Sequence, residues 1–412
     1  MDIRPILSTL RRHKTAAALI VLEIALSCAI ICNAVFLISG RIDNMRTPSG
    51  IAEDELVRVQ VSGMAASDNA HVVTREDLAA LRAIPGVKAA TLANQIPFGN
   101  SGWNSSITLE REQARPTLSA AVYMAEEQML RTFGLRLVAG RWFNSDEYVD
   151  YAEFDNPGPT PPRVPAMLVT REAAERLFPG ENAVGKQVYA WGEEQPVRIV
   201  GIVERLARPS KWGGPAQAGY SMILPVRPSY QEGGNYLLRT DPARRDEVLK
   251  AALAYFEHAR PTRIVALEDS KPFTEVRGEY FRQDESMVWL LSAVCVALLV
   301  VTALGIVGLA SFWVQQRTKQ IGIRRALGAT RGQILRYFQM ENFLLATLGI
   351  VLGMLLAYGI NQMLMGRYEL PRLPALYLPI GAVALWLLGQ FAVYGPARRA
   401  AAVPPAVATR SV

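Results

Sequence analysis

The chain has 412 residues, a formal net charge of +7, three cysteines and three histidines. Its apolar residues are concentrated in four long runs, so the basic balance is better explained by Lys and Arg in loops beside a membrane than by nucleic-acid binding. Cys28, Cys32 and Cys295 all lie inside these runs, which excludes a disulfide or a thiolate metal site from the polar middle of the chain.

The first apolar run, residues 15–38, exceeds the ~20 residues that a helix needs to cross a bilayer. It is longer than the apolar core of a signal peptide and shows no small-residue cleavage site, so we predict a helix that is retained. Glu23 lies about 12 Å into this helix at ~1.5 Å per residue. Intramembrane carboxylates tend to be functional or paired, and we expect a structural role for Glu23, either snorkelling toward the cytoplasmic interface near Lys14 or an interhelical hydrogen bond, rather than proton transport.

The polar middle is predicted to mix helices and strands. Residues 56–61 alternate as in a strand, and Thr74 followed by Asp77 resembles a reciprocal cap at a helix start. Residues 197–203 form a second apolar strand, and a helix is predicted to follow Asp241.

The octet GENAVGKQ, residues 180–187, resembles a phosphate-binding loop but ends in Gln187 instead of Ser or Thr. A phosphate loop follows a strand and opens a helix, whereas this octet follows a predicted helix and precedes a predicted strand. We therefore interpret Gly180 and Gly185 as turn residues. Three scattered histidines and the absence of a G-x-S-x-G motif lead us to expect no catalytic, cofactor or metal site.

Three further runs, 287–314, 342–365 and 376–394, can each cross a bilayer. Lys and Arg concentrate in the two chain ends and in the loop between the second and third runs, while the loop between the third and fourth runs carries only Arg367 and Arg372. Because cytoplasmic loops carry the excess of Lys and Arg, both termini are predicted to lie in the cytoplasm. The predicted fold is an α-helical membrane protein with four transmembrane helices and a large α+β periplasmic domain between helices 1 and 2.

The most specific stretch, residues 315–353, reads as a short basic helix, a break and a new helix. Gly328 suits the end of the first helix, and Thr330 with Gln333 predicts a capping box for the second. Small residues recur on one face of the third span and predict close helix contact; they are Gly349, Gly353 and Ala357.

The motif R-T-K-Q-I-G-I-R-R-A-L-G-A-T, residues 317–330, resembles the signature of FtsX-like permease domains of ABC transporters, especially the MacB type. Residues 81–98, 133–147 and 177–203 are similar to the MacB-type periplasmic core, and residues 396–410 to the family's ending. The resemblance covers nearly the whole chain.

This resemblance implies a permease subunit without catalytic activity that transmits ATPase motion to its periplasmic domain, for export or periplasmic substrate handling. MacB itself carries an ATPase domain before its first helix, so the short segment before residue 15 implies a separate ATPase subunit that binds the ATP. The implied partners also include a second permease chain, identical or related, a periplasmic adaptor protein and inner-membrane lipids, without nucleic acid.

Carried onto this sequence, the resemblance implies that residues 317–328 dock on the ATPase in the cytoplasm. Arg324 and Arg325 would face it, with Ile321 and Leu327 as apolar anchors. The implied coupling residues are Arg317, Ile321, Gly322, Arg324, Arg325, Leu327 and Gly328. The alternative is that these basic residues only set topology and bind anionic lipid. That role requires neither Gly328 nor a capping box at the start of the next helix.

Two other functions remain open within the same architecture. One is a lipoprotein-release permease; the other is a non-transporting regulator of cell-wall hydrolases, whose exported domain is typically much smaller. The predicted segments are a tail 1–14, helix 1 15–38, the core domain 40–284, helix 2 287–314, the coupling loop 315–341, helix 3 342–365, a periplasmic loop 366–375, helix 4 376–395 and a tail 396–412.

Overall fold

The computed structural model describes residues 14–63, 69–155, 162–191, 196–211, 217–259, 263–368 and 372–402. The chain divides into two compact units. One comprises Met1–Met45 with Asp284–Val412, and the other comprises Arg46–Gln283. Most of both predicted cytoplasmic tails lies outside the described residues.

Within the described residues, four helices are long and apolar enough to cross a membrane, which confirms the predicted fold class. Each extends beyond its apolar run, because hydropathy marks only the lipid-compatible part while polar flanks with good helix propensity continue the hydrogen-bond ladder. A short helix, α8, lies within the predicted coupling loop. The bounds are α1 Lys14–Met45, α7 Phe273–Gln316, α8 Thr318–Ala326, α9 Arg331–Tyr368 and α10 Tyr377–Ala402.

The second unit contains a five-stranded sheet in the order β13-β1-β12-β2, with β14 also paired to β1. Helices α2 and α6 contribute Leu81 and Val248 to the core on this sheet. The predicted strand 56–61 is present as β1. The bounds are β1 Leu56–Gly63, β2 Ala89–Ala93, β12 Asn235–Arg239, β13 Arg263–Val265, β14 Lys271–Pro272, α2 Ala70–Ala83 and α6 Arg245–Ala259.

A seven-stranded sheet follows the order β5-β9-β7-β10-β4-β3-β8, and β8 also pairs with β9, so the sheet closes on itself. Val197–Val203 is β9, as predicted. Helices α4 and α5 and a two-stranded pair, β6 with β11, accompany it, whereas α3 packs against β2 and β12 of the five-stranded sheet. The remaining bounds are β3 Asn104–Thr108, β4 Leu118–Met124, β5 Leu137–Gly140, β6 Val149–Asp150, β7 Ala166–Thr170, β8 Gln187–Ala190, β10 Ser221–Leu224, β11 Val226–Arg227, α3 Met129–Phe133, α4 Ala152–Asp155 and α5 Arg171–Leu177.

The octet that resembles a phosphate loop is a turn between α5 and β8, as the sequence predicted. Gly180 and Gly185 have φ values of +72° and +90°, which explains both glycines. Lys186 forms an ion pair with Glu181 and lies 4.3 Å from the centre of the Phe178 ring. The lysine is therefore engaged within the turn.

The predicted cap at Thr74 and Asp77 is wrong, because α2 begins earlier, at Ala70. Thr74 lies inside the helix and donates to the Ala70 carbonyl at 2.8 Å. Asp77 is 1% exposed and is the acceptor of a buried network. A local capping pattern cannot distinguish a carboxylate that caps a helix start from one that is paired inside the core.

The Asp77 network joins α2 to three other elements of the second unit, β12, α6 and β13. The carboxylate accepts the hydroxyl of Tyr236 at 2.6 Å and that of Tyr255 at 2.9 Å, and it forms a buried ion pair with Arg263. Burial is the largest cause that raises the pKa of the Tyr236 hydroxyl well above its ordinary value, and the nearby Asp77 carboxylate is the second. Strand β13 is thereby attached to α2 through its first residue.

We expect Asp77→Ala to lower the free energy of unfolding of this unit by about 3–5 kcal/mol, because it leaves the Arg263 guanidinium buried without its partner. Hydrogen exchange of the slowest amides in the intact protein measures this change. The exposed Asp146 offers a matched control, and Asp146→Ala is expected to stay within about 0.5 kcal/mol of the unsubstituted protein. Equal effects of the two substitutions would contradict the prediction.

Candidate functional site

The candidate functional site is the connection from α7 through α8 to α9. The backbone turns after α8, where Gly328 has a φ of +97° and donates to the Arg325 carbonyl at 3.1 Å. Thr330 N donates to Gln333 Oε1 at 2.9 Å, and Gln333 N donates to Thr330 Oγ1 at 3.3 Å. The predicted glycine break and capping box are both confirmed.

A buried ion pair ties the start of α8 to α9. Arg317 Nη1 donates to both carboxylate oxygens of Glu341, at 3.1 and 2.8 Å. The two side chains are 9% and 2% exposed, and the guanidinium lies 5.4 Å from the centre of the Trp313 ring. Arg317 therefore holds the chain's own helices together and is buried, so a direct contact with a partner is not what this arrangement presents, and its coupling role stays a prediction.

The far end of α8 is attached to the last turn of α10. Arg325 Nη1 donates to the Ala401 carbonyl at 2.8 Å, which gives this arginine a structural role besides any docking role. Cations near a helix C-terminus also interact favourably with its unpaired carbonyls. The short helix is consequently anchored at both ends, to two different membrane helices.

The exposed tip of α8 differs from the expected anchor set. Ile321 and Gly322 are buried, so Ile321 packs inside the protein and cannot be the exposed contact that was expected. Leu327 is 83% exposed, and Ile323, which the sequence reasoning missed, is 46% exposed. Helical spacing was the available signal, because a residue two positions after a buried one lies on the opposite side of a helix.

Arg324 is exposed and lies over the Tyr337 ring at 5.2 Å from its centre. Between α8 and the start of α9 the structure has a cavity of about 490 Å³, and Arg324 and Tyr337 contribute to its wall. The tip residues Ile323 and Leu327 do not line this cavity. The site thus has an apolar tip and a separate basic cavity.

The small residues on α9 pack closely against α1. A Cβ on Gly349 would lie 2.8 Å from Ile24 Cβ, and one on Gly353 would lie 2.6 Å from both Ala25 O and Cys28 Cβ. Ala357 is fully buried, and its carbonyl accepts Asn33 Nδ2 at 3.2 Å. These contacts are those expected where backbones approach within a membrane.

The Glu23 side chain, on α1, faces Gly305 of α7, where an added Cβ would clash with the Glu23 carboxylate. One turn further along α1, Ser27 and Thr302 share a hydrogen bond of 2.8 Å. Within the part of the chain that the structure describes, the Glu23 side chain has no hydrogen-bond or ion-pair partner. The small Gly305 therefore provides the space that the Glu23 side chain occupies.

Metal chemistry finds no support in the described ranges, where no group of three or more His, Cys, Asp or Glu residues could hold an ion. Cys28, Cys32 and Cys295 are free thiols.

Two family models match the chain. Residues 17–255 match the MacB-like periplasmic core domain, and residues 292–405 match the FtsX-like permease C-terminal domain. The two matches together include the core domain, the turn after α8 and all four membrane helices in large part.

Individual relatives show the same pattern. The macrolide export ATP-binding/permease protein MacB of Agrobacterium fabrum is 26% identical over 342 residues, which cover 79% of this chain and 48% of that protein. The uncharacterized ABC transporter permease YknZ of Bacillus subtilis is 22% identical, over 82% of this chain and 79% of its own. The chain spans about half the length of the curated MacB relatives it matches. The solved periplasmic region of MacB from Actinobacillus actinomycetemcomitans is 13% identical, covers 58% of this chain and 97% of its own, and has a TM-score of 0.31.

We expect Gly353→Val to destabilise the membrane unit by about 1–3 kcal/mol, because the added side chain overpacks the contact with α1. Gly359 on the same helix has open space around it, so Gly359→Val is a control with the same change in helix propensity. Thermal unfolding of the detergent-solubilised protein compares them. A shift of equal size in both variants would mean that the contact with α1 is not specific.

We also expect Glu341→Ala to loosen α8, because it removes the partner of a buried guanidinium. Amide hydrogen exchange in residues 318–326 should become roughly tenfold faster or more. Glu285→Ala, which removes an exposed carboxylate from α7, should leave this exchange unchanged. Unchanged exchange in α8 of the Glu341→Ala variant would show that the ion pair does not hold the helix.

Proposed function

Because the chain belongs to the family of FtsX-like permeases with a MacB-like periplasmic core domain, we propose that it is the permease subunit of an ABC transporter driven by an ATPase that docks on the α8 tip. The observation that carries this proposal is a short helix that exposes Ile323 and Leu327 while both of its ends are fixed to membrane helices. Large exposed apolar side chains at a fixed place are what a partner can desolvate to gain affinity.

The two attachments of α8 support a role in transmitting movement. Displacing the tip pulls on α9 through the Arg317–Glu341 pair and on α10 through the Arg325 contact with the Ala401 carbonyl. Separating the buried pair leaves charges without partners, which costs about 3–5 kcal/mol. Movement of the whole α8–α9 unit is therefore easier than breaking its internal contacts.

The direction of this transmission follows from the proposed topology. The basic loop segments and both termini lie in the cytoplasm of a cell with an inner membrane, and the α+β domain lies in the periplasm. ATP binds to and is hydrolysed on the partner ATPase, a separate chain, and this chain contributes no catalytic group. YknZ is named as a permease, and the match covers 79% of its length, which supports ATP hydrolysis on a separate chain.

A complete transporter on this proposal contains two permease chains, identical or related, because four spans make half of such a membrane assembly. The MacB relatives are macrolide export proteins by name, which supports export as the work that is driven. A periplasmic adaptor protein then acts on the core domain.

Leu327→Asp is expected to reduce the amount of ATPase that co-purifies from native membranes, and the accompanying ATP hydrolysis, by roughly 30-fold, because a charge replaces an interface anchor worth about 2 kcal/mol. Leu327 is exposed, so its replacement leaves the packing of the chain intact. Leu376 is 74% exposed in the loop between α9 and α10. It provides the control variant Leu376→Asp, for which we expect no loss of co-purifying ATPase. Recovery of the ATPase at its usual level with Leu327→Asp would refute docking at the tip.

A further inference from the structure

The cavity between α8 and the first turns of α9 is a candidate ligand site separate from the tip. Its volume of about 490 Å³ lies within the usual range for small-molecule sites, ~300–1,000 Å³. Three arginines contribute to its lining, Arg317, Arg324 and Arg336. None of the described residues that line it is acidic.

One cation in this lining is incompletely satisfied. The Arg317 side chain is 9% exposed, and its Nη1 is occupied by Glu341. Its Nη2 is buried and has no hydrogen-bond partner within the described ranges. A buried guanidinium nitrogen without an acceptor is costly, and the residue that carries it contributes to the cavity lining.

Another part of the lining is apolar. Ile321, Ile334 and Phe338 are buried residues that belong to the hydrophobic core of the membrane unit. Phe338 lies about 10 Å along α9 from Arg331 at ~1.5 Å per residue, where the helix passes from its basic first turns into its apolar span. The cavity therefore combines cations with an apolar wall at the level of a membrane interface.

We propose that this cavity binds an anionic phospholipid, with the phosphate among the arginines and the first acyl carbons against Ile334 and Phe338. A free phosphate ion would use the cations but not the apolar wall. Basic pockets between membrane helices on the cytoplasmic side suit such headgroups. The bound lipid would lie against α8 while Ile323 and Leu327 stay free for a protein partner. The inference rests on the proposed function only for the cytoplasmic placement of the cavity.

The test is a titration of the delipidated full-length protein with phosphatidylglycerol, followed by native mass spectrometry, with phosphatidylcholine as the neutral lipid. We expect one tightly bound phosphatidylglycerol per chain and no comparable phosphatidylcholine. Arg324→Gln with Arg336→Gln should weaken binding roughly 30-fold, at about fivefold for each arginine removed. If that double variant is not monodisperse, Arg336→Gln alone should weaken binding about fivefold.

The matched control is Arg331→Gln with Arg398→Gln, which removes the same charge from exposed arginines outside the cavity lining. This variant should bind phosphatidylglycerol within about twofold of the unsubstituted chain. An equal loss in both double variants would reduce the effect to diffuse surface attraction and overturn the proposal. Displacement of the lipid by inorganic phosphate at millimolar concentration, or by the docked ATPase, would also overturn it, by assigning the cavity to a free anion or to the protein interface.

Discussion

The arrangement of the membrane unit around α8 depends on the buried ion pair between Arg317 and Glu341. This pair joins the start of α8 to α9 in surroundings where an unpaired charge is costly. With this contact in place, the chain can turn at Gly328 after α8, Arg325 can donate to the Ala401 carbonyl, and Leu327 is exposed. A buried pair is poor evidence of net stability, but it specifies one position for the helix that it holds.

The remaining contacts of the membrane unit follow a related rule, that polar groups and close backbones must be accommodated without water. Gly349 and Gly353 let α9 approach α1, and Gly305 gives space to Glu23. These contacts hold the spans side by side while α8 remains attached to two of them. The rigid parts are thus internal, and the parts left for partners are the apolar tip and the basic cavity.

Much of this architecture could be predicted from the sequence because its signals are local. Four apolar runs, a glycine at a helix end and a capping box each depend on residues close together in the chain. The roles of Arg317 and Asp77 could not be predicted, because their partners Glu341, Tyr236 and Arg263 are distant in sequence. Helical spacing could have predicted that Ile323 rather than Ile321 is exposed, but only once the start of α8 was known.

The central claim is that the α8 tip is the contact point of an ATPase, and photo-cross-linking in native membranes tests it most directly. A photoreactive amino acid would replace Leu327 in one variant and Leu376 in another, both of which are highly exposed. The account predicts a cross-link from position 327 to a nucleotide-binding protein and none from position 376. Cross-links to lipid alone from position 327, or equal cross-linking from both positions, would contradict it.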